Sequence, residues 1–301
     1  MPSLLDLATQ GDVATITDES QLQSVKLMAP QQLYELWERQ SWQSHTIDLA
    51  PDVAHWQTMT AQERGHLAWL LSSFFIGEER VTTQFTGLVA AYESQAEEAF
   101  LATQQVDEAR HAQHFNRFYR DVVGYDGTFE ERLQRARDDL NDAFLVLFDG
   151  HLVDACNRLL ANPRDLEAKV DFVVAYHMVI EGTLALTGQE FITRYMEAHD
   201  LLPGFTEGFR NIARDEHRHV AYGTWFLQSK LREDPGLARR MQDKLSELLP
   251  IAAGVLVPPG LKLGDSYELL GYSSDEVNEF AFTALSRRLK VIGIGLPALA
   301  S

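Results

Sequence analysis

Two short stretches decide the fold: Asp107-Glu108-Ala109-Arg110-His111 and its near copy Asp215-Glu216-His217-Arg218-His219. Each contains Glu-x-x-His, a spacing that places a carboxylate and an imidazole one turn apart on the same face of a helix. The spacing alone is a weak signal, because Glu63 and His66 show it as well. Glu63 stands at the third position of a capping box opened by Thr60, so we exclude this third pair from the site.

A lone acid in an apolar helical pattern precedes each stretch. Glu78 lies 30 residues before Glu108, and Glu181 lies 35 residues before Glu216. Glu79 competes with Glu78, and helical spacing favours Glu78 because its face is apolar whereas the face of Glu79 is polar. The neighbours on the two faces are Leu71, Phe74, Phe75, Val81 and Phe85 for Glu78, and Ser72, Thr82, Thr83 and Thr86 for Glu79. A carboxylate on a core-facing stripe is costly unless it is paired or binds a metal.

Two such hairpins, about residues 60–122 and 165–232, predict an internal pseudo-repeat that supplies four carboxylates and two imidazoles to the centre of a four-helix bundle. The predicted metal ligands are Glu78, Glu108, His111, Glu181, Glu216 and His219. Such donors suit manganese and iron better than copper or structural zinc. Four carboxylates balance two divalent cations, so we expect a dinuclear Mn/Fe or Fe/Fe centre that reduces dioxygen.

A metal-bound histidine usually donates its second N–H to a carboxylate or a carbonyl oxygen. Asp107 and Asp215, which each precede a predicted ligand, are candidates for this role, each acting on the histidine of the opposing hairpin. The other polar residues of the two stretches are interpreted as surface or packing residues; they are Arg110, His217 and Arg218, together with the nearby His114.

The composition excludes several classes of protein. Hydrophobic residues make up 45% of the 301 residues, and the formal net charge of −18 disfavours nucleic acid and anionic membranes. Cys156 is the only cysteine, so the chain cannot form an internal disulfide. The N-terminus lacks the pattern of a signal peptide, and prolines interrupt the apolar run 248–263. We therefore expect a soluble, cytoplasmic protein without a membrane span and without a nucleic-acid partner.

The rest of the chain predicts an all-α fold with no strand pair. Residues 1–28 show little periodicity and are interpreted as a loose N-terminal arm, and residues 29–301 as a single ferritin-like helical domain. The predicted helices cover about residues 31–39, 60–88, 96–122, 133–160, 165–199, 205–232, 236–250 and 275–292.

The ligand spacing, the Asp215-Glu216 pair and the segment Trp42–Leu49 resemble the small, radical-generating subunit of ribonucleotide reductase. The chain is more similar still to the ligand-binding oxidases related to that subunit, which carry a Mn/Fe centre. The similarity covers about residues 33–289. It is strongest in 77–81, 176–182, 215–223 and 267–272.

The resemblance implies specific properties. In those oxidases a valine and a tyrosine, here Val81 and Tyr176, are joined by an ether cross-link; a long-chain fatty acid binds beside the metals, and the protein is a homodimer. The match to the small subunit's tryptophan–aspartate–histidine chain is Trp42, Asp215 and His111, which implies that Trp42 contacts Asp215 beside the metal site.

Two departures separate the chain from reductase small subunits that carry a tyrosyl radical. Phe115 stands four residues after His111, where those subunits have the radical tyrosine, and residues 293–301 replace their tyrosine-bearing tail. Two alternatives to the oxidase remain: a reductase small subunit without the tyrosyl radical, and a ferritin-like protein for metal storage.

Overall fold

The computed structural model describes residues 26–297. Residues 1–25 of the predicted N-terminal arm lie outside the described residues. The helices are α1 (Pro30–Arg39), α2 (Ala50–Thr58), α3 (Ala61–Gln84), α4 (Thr86–Ala90), α5 (Gln95–Phe118), α6 (Phe129–Arg137), α7 (Asp142–Leu145), α8 (Val153–Ala161), α9 (Leu166–Val173), α10 (Leu186–Ala198), α11 (Pro203–Glu233), α12 (Leu237–Val255) and α13 (Ser274–Ile292). The all-α prediction is confirmed.

Four long helical stretches form the core. Helix α3 packs against α5, and α11 packs against both α5 and the π-helical segment Val174–Ala185, which joins α9 to α10. The predicted capping box opens α3, with the Glu63 amide donating to the Thr60 hydroxyl over 3.2 Å. The first turn of α11 is held by Asp52, a buried residue of α2. The amides of Gly204 and Phe205 donate to the two carboxylate oxygens of Asp52 over 2.9 and 2.6 Å.

Within residues 26–297, three helical stretches contain π-helical turns, in which an N–H pairs five residues back instead of four. They are Tyr119–Val123, Val146–Leu152 and Val174–Ala185. In the longest, the Thr183 hydroxyl donates to the Met178 carbonyl five residues earlier, over 2.7 Å. Arg288 of α13 donates to the Gly182 carbonyl over 2.6 Å. Side chains five residues apart are therefore about one turn apart in this segment.

Three predicted helices have different bounds in the structure. The stretch 60–88 divides at Phe85 into α3 and α4. The stretch 133–160 is interrupted before α7, because the Asn141 side chain accepts from the Phe144 amide over 2.9 Å and caps a new helix. Helix α12 continues through Pro250 to Val255, whereas we expected it to end at the proline. Pro250 is exposed, so the carbonyl that loses its partner faces solvent.

The expectation that no strands pair was wrong at one place. Strands β1 (Glu268–Leu269) and β2 (Tyr272–Ser273) form an antiparallel hairpin. Its turn residues, Leu270 and Gly271, have φ of 54° and 80°, as a two-residue hairpin turn requires. Two residues per strand are too few to produce an alternating pattern in the sequence.

In the part of the chain that the structure describes, one helical stretch, Leu166–Ala198, is long and apolar enough to cross a membrane by length and composition, with a mean hydropathy of 1.3. However, 94% of its most apolar 18-residue stretch is buried within the protein, as expected for the central helix of a bundle. Burial by the rest of the chain therefore accounts for its apolar character.

Candidate metal centre

The six predicted ligands come together in the middle of the bundle. Glu78 lies on α3, Glu108 and His111 on α5, Glu181 on the π segment, and Glu216 and His219 on α11. All six are buried, with Glu78 the most exposed at 6%. Each hairpin contributes one lone glutamate and one Glu-x-x-His pair, as the pseudo-repeat predicts.

Their oxygen and nitrogen atoms form two groups with the geometry to hold a metal ion. One group is Glu78, Glu108, His111 and Glu216, and the other is Glu108, Glu181, Glu216 and His219; within each, the four ligand atoms lie within 4.8 Å of one another. Glu108 and Glu216 belong to both groups. A carboxylate shared in this way can bridge two ions, as a dinuclear carboxylate site requires.

The histidines approach the carboxylates through the Nδ1 atoms of their rings. His111 Nδ1 lies 3.3 Å from Glu78 Oε2 and 3.4 Å from Glu216 Oε1. His219 Nδ1 lies 3.0 Å from Glu108 Oε1 and 3.2 Å from Glu181 Oε1. Both Nδ1 atoms therefore face the space where the cations would lie.

The cluster carries an excess of negative charge. Burial raises the pKa of both Glu78 and Glu181 well above its ordinary value, and neighbouring glutamates contribute. The Oε2 atoms of Glu181 and Glu216 have no hydrogen-bond partner within residues 26–297. Four buried carboxylates without enough donors fit two divalent cations, which would balance their charge.

Each histidine is oriented by the aspartate of the opposite hairpin. His111 Nε2 lies 3.2 Å from Asp215 Oδ2, and His219 Nε2 lies 3.2 Å from Asp107 Oδ2. Burial alone would raise the pKa of Asp215, but the hydrogen bond to His111 and the charge of Arg218 hold it below its usual range. An ionised carboxylate can only accept, so Nε2 carries a proton, and Nδ1, which faces the glutamates, is the nitrogen that would bind a metal.

A tryptophan completes each side of this arrangement. Trp42 Nε1 donates to Asp215 Oδ2 over 2.7 Å, the contact that the resemblance implies. Trp37 Nε1 donates to Asp107 Oδ1 over 2.8 Å. The sequence did not point to Trp37. Its helix, α1, packs against α5, and nothing in the sequence distinguishes Trp37 from the other tryptophans.

The interpretation of four polar residues as surface or packing residues was wrong for Arg218. Its Nη2 atom donates to Asp107 Oδ2 over 2.9 Å and to Asp215 Oδ1 over 2.6 Å, and its side chain is only 2% exposed. Arg110 also donates to Asp107, over 2.7 Å. One buried guanidinium thus links the two aspartates that orient the histidines.

Tyr176 lies against the cluster, and its hydroxyl donates to Glu108 Oε1 over 2.7 Å. On an ideal α-helix it would point about 140° away from Glu181. The π segment brings residues five apart onto nearly the same face, and Gln104 Nε2 reaches both Tyr176 Oη and Glu181 Oε1 over 3.3 Å. Val81 is buried and lines the adjoining cavity.

A cavity of about 120 Å³ adjoins the cluster. Glu78, Glu108, Glu181 and Glu216 contribute to its lining, and most of the remaining wall is apolar. The apolar lining includes Phe74, Val81, Phe144, Phe148, Ile180, Leu184, Phe191, Ile192, Leu256 and Leu270. An apolar molecule with a polar end facing the carboxylate cluster suits this lining.

The two rejected acids have other roles. Glu79 forms an ion pair with Arg80 over 3.0 Å and belongs to neither metal-binding group. Glu63 caps α3 through the Thr60 amide, over 2.7 Å. Helical periodicity therefore separated Glu78 from Glu79, and the capping box separated Glu63 from the cluster.

The fold and the site define a class of protein: a ferritin-like bundle with a buried dinuclear carboxylate–histidine site. Within that class, the chain belongs to the family Ribonucleotide reductase, small chain, which matches residues 20–294.

Solved structures of R2-like ligand-binding oxidases are similar over most of the chain. A variant with an aerobically reconstituted Mn/Fe cofactor is 26% identical, with a TM-score of 0.74, over 89% of this chain and 94% of its own. A variant with an aerobically reconstituted Fe/Fe cofactor is also 26% identical, with a TM-score of 0.75, over 88% and 93%. The oxidase from Sulfolobus acidocaldarius is 24% identical, with a TM-score of 0.74, over 90% and 92%.

Proposed function

We propose that the protein is a dioxygen-activating oxidase with a dinuclear Mn/Fe or Fe/Fe centre. The observation that carries this proposal is the pair of four-residue groups that share Glu108 and Glu216. The similar structures with Mn/Fe and Fe/Fe cofactors support the choice of metals. When bound, such a centre supplies one-electron steps and the reduction of dioxygen.

The chain's own residues would hold and shield that centre. Glu78 and His111 would bind one ion, Glu181 and His219 the other, and Glu108 and Glu216 would bridge them. Asp107 and Asp215 keep Nε2 of the two histidines protonated, which leaves Nδ1 for the metals. The apolar wall excludes water, so a reactive oxidant would meet only the groups placed beside it.

The cavity would bind a long-chain fatty acid or a similar amphiphile, with its carboxylate toward the cations. Burial of the alkyl chain against the apolar wall would stabilise the complex by about 0.8 kcal/mol per methylene. The relatives are named ligand-binding oxidases, which agrees with this role for the cavity. By the same resemblance, the protein would act as a homodimer.

Val81 and Tyr176 would form an ether cross-link. The Val81 Cβ–H and Tyr176 O–H bonds would break, a Cβ–O bond would form, and dioxygen would take up the two electrons and two protons. Variants of the oxidases are changed at a glycine, at the next residue, a glutamate, and at a valine three positions later. The same order, Gly-Glu-x-x-Val, occurs here at Gly77–Val81.

A reductase small subunit with a tyrosyl radical four residues after His111 is disfavoured. Phe115 occupies that position, is fully buried, and packs between Phe74 and Phe209 at ring distances of 5.9 and 6.1 Å. A phenylalanine ring cannot form the oxygen-centred radical of a tyrosine.

Metal analysis tests the proposal. Protein loaded with Mn(II) and Fe(II) should hold about two ions per chain, and Glu108→Ala or His219→Ala should lose most of them. His66→Ala, in the excluded Glu-x-x-His pair, is the matched control and should bind metal normally. Unchanged metal content in both site variants would refute the ligand assignment.

Peptide mapping tests the cross-link separately. After aerobic loading, the peptides that contain Val81 and Tyr176 should appear joined, lighter by two hydrogens than their sum. Val81→Ala, Tyr176→Phe and anaerobic loading should each abolish the joined species. Separate peptides from aerobic, fully loaded wild type would show that the centre acts without this cross-link.

A further inference from the structure

A second group of buried side chains leads away from the cluster on the side of Glu181. Gln104 Nε2 lies 3.3 Å from Glu181 Oε1 and 3.3 Å from His177 Nε2. The His177 ring lies 5.3 Å from the ring of Tyr222, measured between centroids. Contacts through Gln104 and His177 therefore lead from Glu181 to Tyr222. Tyr222 also stands three residues after His219 on α11, about one turn along the helix.

The same aromatic series continues to the surface. The ring of Tyr222 lies 6.1 Å from that of Trp225, which is only partly buried. Tyr222 itself is fully buried. An easily oxidised ring therefore stands at the surface, and a second stands between it and the cluster.

The hydroxyl of Tyr222 has a proton acceptor. It donates to Glu97 Oε1 over 2.5 Å, and Lys169 Nζ donates to the same oxygen over 2.8 Å. Lys169 also reaches Glu93 over 3.1 Å, and the side chain of Glu93 is 43% exposed. Polar contacts thus link the phenol through a buried acid and a buried amine to solvent.

Stability does not explain this arrangement. The Lys169–Glu97 pair is buried, at 2% and 3% exposure of the two side chains. Apolar residues of similar volume often stabilise a core equally well or better. Burial, followed by the charge of Glu97, raises the pKa of Tyr222 well above its ordinary value, so the phenol loses its proton only when it is oxidised.

We propose that Trp225 and Tyr222 carry single electrons from the surface to the dinuclear centre, with Glu97 accepting the phenol proton. The inference rests on the proposed oxidase function, because the oxidised centre is the oxidant. Tyr222 gives one electron to the centre and its hydroxyl proton to Glu97. The products are a neutral tyrosyl radical, a protonated Glu97 and a centre reduced by one electron.

The return step restores Tyr222. Trp225 gives one electron to the tyrosyl radical, and the proton moves back from Glu97 to the phenol oxygen. Trp225 is then reduced at the surface by a one-electron donor in solution, such as ascorbate. Atoms and charges balance at each transfer, and the path does not use the Tyr176 phenol that the cross-link would consume.

The reduction of dioxygen needs more electrons than the proposed centre supplies, and the path would deliver them. Complete reduction of dioxygen needs four electrons. In the proposed centre, two divalent ions would supply two of these electrons, and formation of the Val81–Tyr176 bond would supply the other two. The cross-link forms only once, so every later turnover needs electrons from elsewhere, and the Trp225–Tyr222 path would deliver them.

Freeze-quench electron paramagnetic resonance tests the path in Tyr176→Phe protein, where the cross-link cannot form. After Fe(II) loading and exposure to dioxygen, we expect a tyrosyl radical signal. A further Tyr222→Phe change should abolish the signal, and Glu97→Gln, which removes the proton acceptor, should lower it at least tenfold. Tyr195→Phe is the matched control. The Tyr195 hydroxyl also donates to a glutamate, Glu63, over 3.3 Å, but Tyr195 lies outside the Trp225–Tyr222 path.

A photochemical measurement on metal-free protein tests the path without the centre. Flash-generated tris(bipyridine)ruthenium(III) should oxidise Trp225, and transient absorption should show the indole radical converting to a tyrosyl radical. This conversion should be lost in Tyr222→Phe and in Trp225→Phe but kept in Tyr195→Phe.

The two measurements separate failure of the path from failure of the proposed function. If the protein binds about two ions per chain and consumes dioxygen without any signal that depends on Tyr222, the inference is overturned. If it binds no metal, the proposed function fails, and the photochemical result alone decides the path. A tyrosyl signal from Tyr222 then supports the path, and its absence overturns it.

Discussion

At the scale of single residues, Arg218 matters most among those that the sequence did not single out. It donates to both Asp107 and Asp215, and all three side chains are buried. Removal of one partner from a buried ionic group costs about 3–5 kcal/mol, because the remaining charges stay buried without compensation. We therefore expect Arg218→Gln to lower the free energy of unfolding of the metal-free protein by about 3 kcal/mol, measured by urea titration.

The control lies on the same helix. Arg210 forms an ion pair with Glu197 over 2.6 Å, but its side chain is 56% exposed. Exposed pairs contribute about 0–1 kcal/mol, so Arg210→Gln should have a small effect. Equal losses of unfolding free energy in the two variants would contradict the prediction that Arg218 stabilises the fold through Asp107 and Asp215.

His114 predicts a specific pH dependence. It is fully buried, and burial, assisted by the charge of Arg117, lowers the pKa of its imidazole to about 3. The unfolded chain binds this proton near pH 6.5, so His114 makes stability fall as the pH drops below about 6.5, by up to about 1.4 kcal/mol per unit. His114→Gln should remove this contribution.

Urea titrations of the metal-free protein between pH 4 and 8 measure this effect as the difference in slope between wild type and variant. Above about pH 7.5 the imidazole is neutral in both the folded and the unfolded chain, so the two slopes should agree there. Parallel curves below pH 6 would show that His114 is not buried in its neutral form.

The sequence carried enough information for the six candidate ligands and for the two aspartates beside the histidines, but not for Arg218 and Trp37, which contact those aspartates. A carboxylate on an apolar stripe stands out by periodicity, as Glu78 does beside Glu79. Arg218 and Trp37 have no such signal, because both contact Asp107, which lies on α5 and reaches them only in the folded chain. Tyr176 was identified by resemblance alone.

At the scale of secondary structure, the start of α11 depends on Asp52 from α2. This buried carboxylate accepts two backbone N–H groups that would otherwise lack partners. Loss of a capping residue costs about 0.5–2 kcal/mol, and burial of the freed donors increases the loss, so we expect about 2–3 kcal/mol for Asp52→Ala. Asp52→Asn, which keeps one acceptor oxygen, should cost less.

Thermal and urea unfolding measure the effect. Asp48→Ala is the matched control, because Asp48 accepts from the Ala50 amide over 2.9 Å at an exposed site. A loss after Asp52→Ala no larger than that after Asp48→Ala would argue against an anchoring role at α11.

Helix positions were predictable from apolar periodicity and capping residues, whereas the π-helical turns were not. A π turn shifts the hydrogen-bond register by one residue, and the mostly apolar sequence of Val174–Ala185 contains no signal for that shift. The turn depends on contacts from outside the helix, such as the bond from Arg288 to the Gly182 carbonyl. Such contacts follow from tertiary packing and are not encoded locally.

At the scale of the whole molecule, the cavity connects the cluster with the C-terminal part of the chain. Ala185 lies in the cavity wall. Ala185→Phe should fill the space and weaken the binding of added hexadecanoate at least tenfold, or about 1.4 kcal/mol, while metal content stays unchanged. Isothermal titration calorimetry measures the affinity.

Val146→Phe provides the control for added aromatic volume, because Val146 is 48% exposed and does not line the cavity. It should leave hexadecanoate binding unchanged. Equal affinities in wild type and Ala185→Phe would place the ligand elsewhere.

The crossed pairing of His111 with Asp215 and of His219 with Asp107 has a kinetic consequence. The α3–α5 hairpin can neither orient its own histidine nor complete a four-residue group, because Asp215 and Glu216 come from α11. A complete metal-binding group therefore forms only after the two hairpins have docked, so metal binding cannot nucleate that docking. Cations should then slow the unfolding of the finished protein and leave its rate of folding almost unchanged.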